Sequence, residues 1–393
     1  MQKKKAKTKV LIALSGGVDS SVAAALLVAS GKYDVTGAFM VNYDDRVASH
    51  AIAQSATACY LHDYRDAVRV AAKLGIPILK LDFKKEYSEK VLAHMYGEYE
   101  KGRTPNPDVM CNSFIKFGSW LDKAREMGFD YLATGHYAVI SRKVKGKSRK
   151  VECKLMMSKD ENKDQTYFLH QLNQNQLAHS MFPIGDYTKP EVRKLAKKFD
   201  LPTADKEESM GICFIGEVPM KEFLQKRISP KPGNIIFNGS VIGQHEGLAF
   251  YTIGQRHLNL GCHFERSEKS LSQLNDRQRS LTSVRDDNEN KPFYVVDKNF
   301  KTNELIVGFE DDPLLFKKEC EVENVNWISG QTPKFPLKCE VRLRHRQPLQ
   351  KCTVKQTNKK AKIEFEKRQR AVTPGQFAVF YLKGECLGGG EIK

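Results

Sequence analysis

Two cysteines, one aspartate and a serine–glycine loop are the residues of this chain best placed to do chemistry. Asp108 and Cys111 lie three residues apart in Gly102-Arg-Thr-Pro-Asn-Pro-Asp-Val-Met-Cys-Asn112. Pro105 and Pro107 point to a stiff loop that excludes helix. A carboxylate and a thiol on such a loop can serve as general acid/base and nucleophile. A proline-rich turn with a structural cysteine is the plain alternative. Thiolate formation needs a helix N-terminus or a cation nearby, and the helical pattern from Ser113, with Lys116, offers both. The second cysteine, Cys213, stands in Ser209-Met-Gly-Ile-Cys-Phe-Ile-Gly216. A cysteine between a glycine and an apolar pair is commonly a small core residue, and only the fold can bring it to Cys111.

Ser15-Gly16-Gly17-Val18-Asp19-Ser20 follows an apolar run at 9–14 and opens a helical stretch at 22–30. Backbone N–H groups at a helix N-terminus, unobstructed where Gly16 and Gly17 lack Cβ, form an anion site. The hydroxyls of Ser15, Ser20 and Ser21 add donors. Neither a Walker lysine nor the dinucleotide glycine pattern is present. Three further points lie at the expected ligand edge. Met40 is near the end of a strand at 35–41, and Gly135-His136-Tyr137 follows a strand at 130–134. Lys163-Asp164-Gln165 opens a helix whose N-terminal dipole favours anions. His136 reads equally well as a satisfied polar residue.

Strands and helices alternate through residue 134: a strand at 76–83 follows a helix at 67–74, and helices at 86–100 and 116–127 come next. This predicts a doubly wound α/β domain with a parallel sheet, its ligand at the C-terminal strand ends. The domain is assigned to residues 1–217. A small central domain, 218–292, is glycine-punctuated and holds a polar insertion, 265–290, that reads as a solvated excursion. Residues 293–393 carry short strand-like runs from YVVD to QFAVFYL and predict an all-β barrel. In VRLRHRQ, alternation predicts Arg342, Arg344 and Arg346 on one strand face, either solvated or tracking phosphates.

The 393 residues carry a formal net charge of +17, which favours a polyanionic partner such as nucleic acid. No run is long and apolar enough to span a bilayer. The nine cysteines are widely spaced, with no C-x-x-C, so neither a disulfide framework nor a zinc ribbon is expected. The start of the chain, with five lysines and no apolar core, is not of the secretory type. A reducing cytoplasm with available thiols is the expected setting.

The Ser15–Ser20 hexamer resembles the pyrophosphate loop of ATP pyrophosphatases. SGGVDSS, GRTPNPDVMCN, ATGHYA, KDQTYFL, FPIGDYTKPEVR, GICFIG, YTIGQR, TPGQFAVFY and CLGGG occur in order. Together they resemble the tRNA-specific 2-thiouridylase family over nearly the whole chain, apart from the lysine-rich start and the insertion. The resemblance implies an ATP site formed by Ala13, Leu14, Ser15, Gly16, Gly17, Val18, Asp19, Ser20, Met40 and Gly135, with Asp19 helping to organise Mg2+. It implies adenylation of the wobble uridine in the tRNAs for Lys, Glu and Gln, followed by sulfur transfer. Cys213 would carry a persulfide loaded by a cysteine desulfurase or sulfur-carrier protein, and Cys111 would resolve it, with a Cys111–Cys213 disulfide or released sulfide as consequence. Asn106, Pro107 and Asp108 would meet the target base, Asp108 as acid/base. His136, Lys163, Asp164, Gln165, Arg344, His345 and Gln376 would contact tRNA. Many relatives have Tyr where this chain has His345, and an imidazole offers a smaller stacking surface. A small-molecule ligase of the same superfamily would explain the loop but not the paired cysteine motifs or the basic β domain. A non-catalytic RNA-binding protein would not need the intact loop.

Overall fold

The computed structural model describes residues 7–43, 59–145, 150–207, 219–256, 291–357 and 360–393. Cys213 with its whole motif, and the 265–290 insertion, lie outside the described residues.

In chain order the first domain contains β1 (Thr8–Ala13), α1 (Val18–Ala29), β2 (Tyr33–Val41), α2 (Cys59–Leu74), β3 (Ile78–Asp82), α3 (84–100) and α4 (107–126). Then come β4 (Tyr131–Ala133), β5 (Val139–Lys145), β6 (Lys150–Met156), α5 (Thr166–Leu169), α6 (Gln174–Ala178), β7 (Ser180–Met181) and α7 (Lys189–Lys198). Five strands form a sheet of order β3-β2-β1-β4-β7 with parallel pairings throughout. Alternate side chains serve the two faces. Leu11, Ala38, Met40 and Leu132 pack with Tyr87, Met95, Ile115 and Trp120 of α3 and α4. Val10, Ile12, Phe39 and Ala133 pack with α1, α2 and α7. The strand order reverses between β1 and β4, so the crevice at their C-terminal ends is the expected ligand site.

Pro107 corrects the expectation of a helix-free loop. It occupies the first helical position of α4, where its missing N–H costs nothing. Asn106 caps that helix, its side chain accepting from the Val109 N–H at 3.2 Å. Asp108 and Cys111 therefore sit at the start of a helix. Its turns are wide over Cys111–Trp120, and its backbone breaks at Gly118.

After α8 (Met220–Gln225), strands β8 (Gly233–Phe237), β9 (Ser240–His245), β10 (Tyr294–Asn299) and β11 (Glu304–Gly308) form a second sheet of order β10-β11-β8-β9. The YVVD and ELIVGF runs thus belong with the central sheet and not with the C-terminal barrel. β11 pairs in parallel with β8, and Val295, Leu305 and Val307 share one core with Ile235 and Phe237. The expected boundary at 292/293 moves to beyond Gly308.

The last six strands are β12 (Phe316–Trp327), β13 (Leu337–Arg342), β14 (Gln350–Thr357), β15 (Lys360–Arg370), β16 (Phe377–Leu382) and β17 (Glu385–Ile392). They close into an antiparallel barrel, β12-β15-β14-β13-β16-β17 and back to β12. The hairpin β5–β6 of the first domain extends this sheet through β6 against β17. Among the described residues no helix is long and apolar enough to cross a membrane.

Candidate active site

The serine–glycine loop joins β1 to α1 at the crevice. Gly16 has φ +78°, and a Cβ there would lie 2.3 Å from the Asp63 carbonyl oxygen. Ser15 and Ser20 hydroxyls lie 3.1 Å apart, and Ser20 and Ser21 hydroxyls donate to the Gly17 carbonyl. Gly17 is the N-cap, and among the described residues no side chain caps α1. Its first N–H groups are thereby left to an anion. Gly135, just past β4, packs on this turn: a Cβ would lie 2.7 Å from the Ser20 backbone nitrogen. Met40 is buried near the end of β2. Two residues on, Asn42 is buried, and among the described residues neither of its amide atoms has a hydrogen-bond partner, a polar group placed to meet a ligand. This open turn, the close approach of Gly135 and the orphaned amide fit a bound nucleotide.

Asp19 has other company than expected. Its carboxylate accepts from Lys189 Nζ at 2.7 and 2.9 Å and from the Tyr137 hydroxyl at 2.9 Å. Among the described residues no group of three His, Cys, Asp or Glu side chains could hold a metal. Asp19 is paired with an ammonium, and an ion organised there would take its other oxygens from water and substrate phosphate.

The segment 102–112 lies where the three domains meet. Gly102 has φ +74° and lies under Phe300 of the central domain, whose ring fills the space of a Cβ. Lys298 donates to the Gly102 carbonyl at 2.9 Å, and burial pushes its ammonium down to about 8. Thr104 Oγ1 meets Thr252 Oγ1 at 3.1 Å, and the Thr104 N–H donates to the Pro374 carbonyl. Gln376 Nε2 donates to the Thr104 carbonyl at 2.8 Å, while Asn106 Nδ2 donates to Gln376 Oε1 at 3.4 Å. Asn106 and Gln376 are thus brought together from opposite ends of the chain. Asn112 Nδ2 donates to the Asp108 carbonyl at 3.0 Å, tying the first turn. Cys111 is fully buried in the core layer that also holds Met40, below the strand ends.

His136 is buried, with its Nδ1 2.7 Å from Thr134 Oγ1 and its ring between Phe117 and Phe182. Desolvation, reinforced by Lys116, holds the imidazole well below its ordinary range, so it is neutral. Gln165 Oε1 accepts from the Tyr137 N–H, and the Tyr137 carbonyl accepts from the Gln165 N–H; the two segments lock each other. Asp164 is 1% exposed and accepts from Ser158 N–H, Thr166 Oγ1 and Arg342 Nη1. Its carboxylate points into the structure. Lys163 shares an open groove with Glu161, Asn162 and Arg346.

The three arginines do not share a strand face. β13 ends at Arg342, which is buried against Asp164, and Arg346 has φ +63° in the following turn. Arg344 Nη2 donates to the Ile253 and Ala371 carbonyls and to Thr373 Oγ1, joining the central domain to the barrel. His345 lies over Phe168, ring centroids 4.4 Å apart. The alternation failed because the buried Asp164 draws Arg342 inward and ends the strand. Sequence reading also assigned no role to Lys189, Lys298 or Phe300, and it placed Arg342 on an outer strand face and not against Asp164. For Lys189 the signal was Thr188-Lys-Pro-Glu191, a capping box that the structure confirms.

Burial pushes His345 and His170 each down to about 4. A histidine that stays neutral when folded but takes up a proton near 6.5 when unfolded costs stability as pH falls. The cost is absent above about pH 6.5 and grows as pH falls toward about 4. Thermal unfolding should therefore shift to lower temperature between pH 7 and pH 5. An unchanged midpoint over that interval would contradict the burial of these rings.

A parallel sheet with reversed strand order, a glycine turn opening α1 at the reversal, and two β modules holding the segment that leads into a helix-borne thiol define a class: an α/β nucleotide-dependent enzyme with appended β domains. The family models agree. The tRNA methyl transferase HUP domain matches residues 8–217, the tRNA methyl transferase PRC-barrel domain 221–271, and the aminomethyltransferase beta-barrel domain 317–392. The chain is 44% identical to the tRNA-specific 2-thiouridylase MnmA of Bacillus velezensis, covering 100% of this chain and 96% of that one. It is 44% identical to the Coxiella burnetii protein of the same name, covering 98% and 97%. The Bacillus subtilis protein of that name is 42% identical over 100% of this chain. The chain belongs to the tRNA-specific 2-thiouridylase MnmA family.

Proposed function

We propose that the protein is an ATP-dependent tRNA-uridine 2-sulfurtransferase that makes 2-thiouridine at the wobble position of tRNAs for Lys, Glu and Gln. The end-to-end similarity to proteins named as tRNA-specific 2-thiouridylases carries this reading. The open turn at Ser15–Ser20 and the close approach of Gly135 support the nucleotide step of this reading. ATP lies on the Ser15–Ser20 turn, beside Met40 and Gly135, with its phosphates toward the open N-terminus of α1. The uridine O2 attacks the α-phosphate, pyrophosphate leaves, and the base carries AMP. That converts an oxygen that does not leave into one that does.

Sulfur comes from a persulfide on Cys213, supplied by a cysteine desulfurase or sulfur-carrier protein. Its outer sulfur attacks C2, and AMP departs with the oxygen. The Cys111 thiolate then attacks the Cys213 sulfur. The S–S bond breaks, the electron pair stays on the base as the thiocarbonyl, and a Cys111–Cys213 disulfide remains for external thiols to reduce. Asp108, on the first turn of α4, moves the protons. Asn106 and Pro107 hold the base, supported by the Gln376 clamp. Lys163, Gln165, His136, Arg344 and His345 line the tRNA path, with Asp164 holding that path in shape through Arg342. The basic charge balance supports a polyanionic substrate.

The experiment is product analysis with labelled ATP and unmodified tRNA. AMP and pyrophosphate are expected in step with base modification. ADP and phosphate as the coupled products would reject the reading.

A further inference from the structure

The pyrophosphate loop has no lysine of its own, yet the leaving group it would hold carries several negative charges. A cation reaches it from far along the chain. Lys189 is the first residue of α7, and its ammonium reaches Asp19 in the first turn of α1. The Tyr137 ring lies 6.0 Å from that ammonium, and Tyr137 also donates to Asp19. The Lys189 backbone N–H is held by Asp160 Oδ2 at 2.8 Å, so the root of the side chain is fixed while its tip sits at the loop.

We propose that Lys189 is the phosphate-binding cation of this site, exchanging Asp19 for the β- and γ-phosphate oxygens of ATP and then for pyrophosphate. The inference rests on the ATP reading above and adds a residue to it. Three observations support the exchange. Asp19 keeps 33% side-chain exposure and Lys189 13%, so the carboxylate is the more solvent-accessible side of the pair. The lysine stem is flexible and its ammonium is a compact point charge, suited to moving between two anions. The uncapped N-terminus of α1 beside it presents N–H groups to the same anion.

The test is calorimetric titration of the full-length protein with pyrophosphate, α,β-methylene ATP and AMP. The proteins compared are wild type, Lys189→Ala, Lys189→Gln and Lys189→Arg. AMP lacks the β- and γ-phosphates and reports whether the loop itself is intact. Lys189→Ala and Lys189→Gln should each weaken pyrophosphate and α,β-methylene ATP by roughly 10- to 100-fold. AMP affinity should stay at the wild-type value, and Lys189→Arg should recover most of the loss. Lys189→Gln can still hydrogen-bond Asp19, so it serves if the alanine variant does not fold. Wild-type pyrophosphate affinity in both neutral variants would overturn the proposal. So would an equal loss for AMP, which would make Lys189 a support for the loop only. A wild-type protein that binds none of the three ligands would overturn the ATP reading itself.

Discussion

Cys213→Ser and Cys111→Ser should each abolish 2-thiouridine formation while AMP transfer to tRNA survives. Adenylation needs the loop, the nucleotide and the uridine oxygen, and no thiol takes part in it. In the proposed mechanism sulfur transfer needs both thiols, one to carry the outer sulfur and one to break the S–S bond. A serine hydroxyl does neither, because its oxygen forms no persulfide and is a far weaker nucleophile at neutral pH. A peptide mass gain of one sulfur should map to Cys213, vanish in Cys213→Ser and persist in Cys111→Ser. Cys111 is buried in a packed core layer, so an isosteric change is the right probe there. Cys339 and Cys352 face each other across β13 and β14, their sulfurs 3.7 Å apart. They lie in the barrel core, and serine at either should leave thiolation in place. A persulfide found only on Cys111 would reverse the two roles. Full thiolation by either catalytic variant would end the two-cysteine mechanism.

Gly135→Ala should lower the adenylation rate by roughly 100-fold, the scale expected when a reacting group is misplaced by about 1 Å. A Cβ at this position would lie 2.7 Å from the Ser20 nitrogen and 2.8 Å from the Asp19 carbonyl carbon. Both are backbone atoms, so the turn that opens α1 has to move. The expected cost in stability is about 1–3 kcal/mol, that of overpacking a tight contact. Gly97→Ala is the control. Nothing lies within 4 Å of its would-be Cβ, and it sits inside α3, so alanine should be neutral or stabilise by roughly 0.5–1 kcal/mol. Near-normal adenylation in Gly135→Ala would remove the nucleotide from this turn.

Much of this architecture is written in local pattern. The runs at 9–14 and 35–41 alternate between two buried faces, and each appears as a strand of the parallel sheet. The serine–glycine turn lies at the strand-order reversal, as its position between strand and helix implied. What escaped local reading was decided by distant partners. Pro107 looks like a helix breaker until Asn106 is seen capping the helix it begins. β17 has no alternating side chains over Gly388-Gly389-Gly390, so it does not read as a strand. Its glycines are required because the Asn326, Ala378 and Glu323 carbonyls approach within 1.9, 2.5 and 2.7 Å of where each Cβ would be. Arg342 looks like a surface charge until Asp164, far earlier in the chain, takes it into the core. Lys189 is the same case at the site itself, since its partner Asp19 is separated from it by most of the first domain.

The central claim is that this protein replaces the C2 oxygen of a tRNA wobble uridine with sulfur at the expense of ATP. The most direct measurement is mass spectrometry of nucleosides digested from unmodified tRNAs for Lys, Glu and Gln. The tRNAs are incubated with the protein, ATP, Mg2+ and a persulfide donor. The account predicts a 2-thiouridine nucleoside, heavier than uridine by the exchange of one oxygen for one sulfur, that requires both ATP and the donor. Unmodified uridine in the complete mixture, or sulfur incorporation that proceeds without ATP, would contradict it.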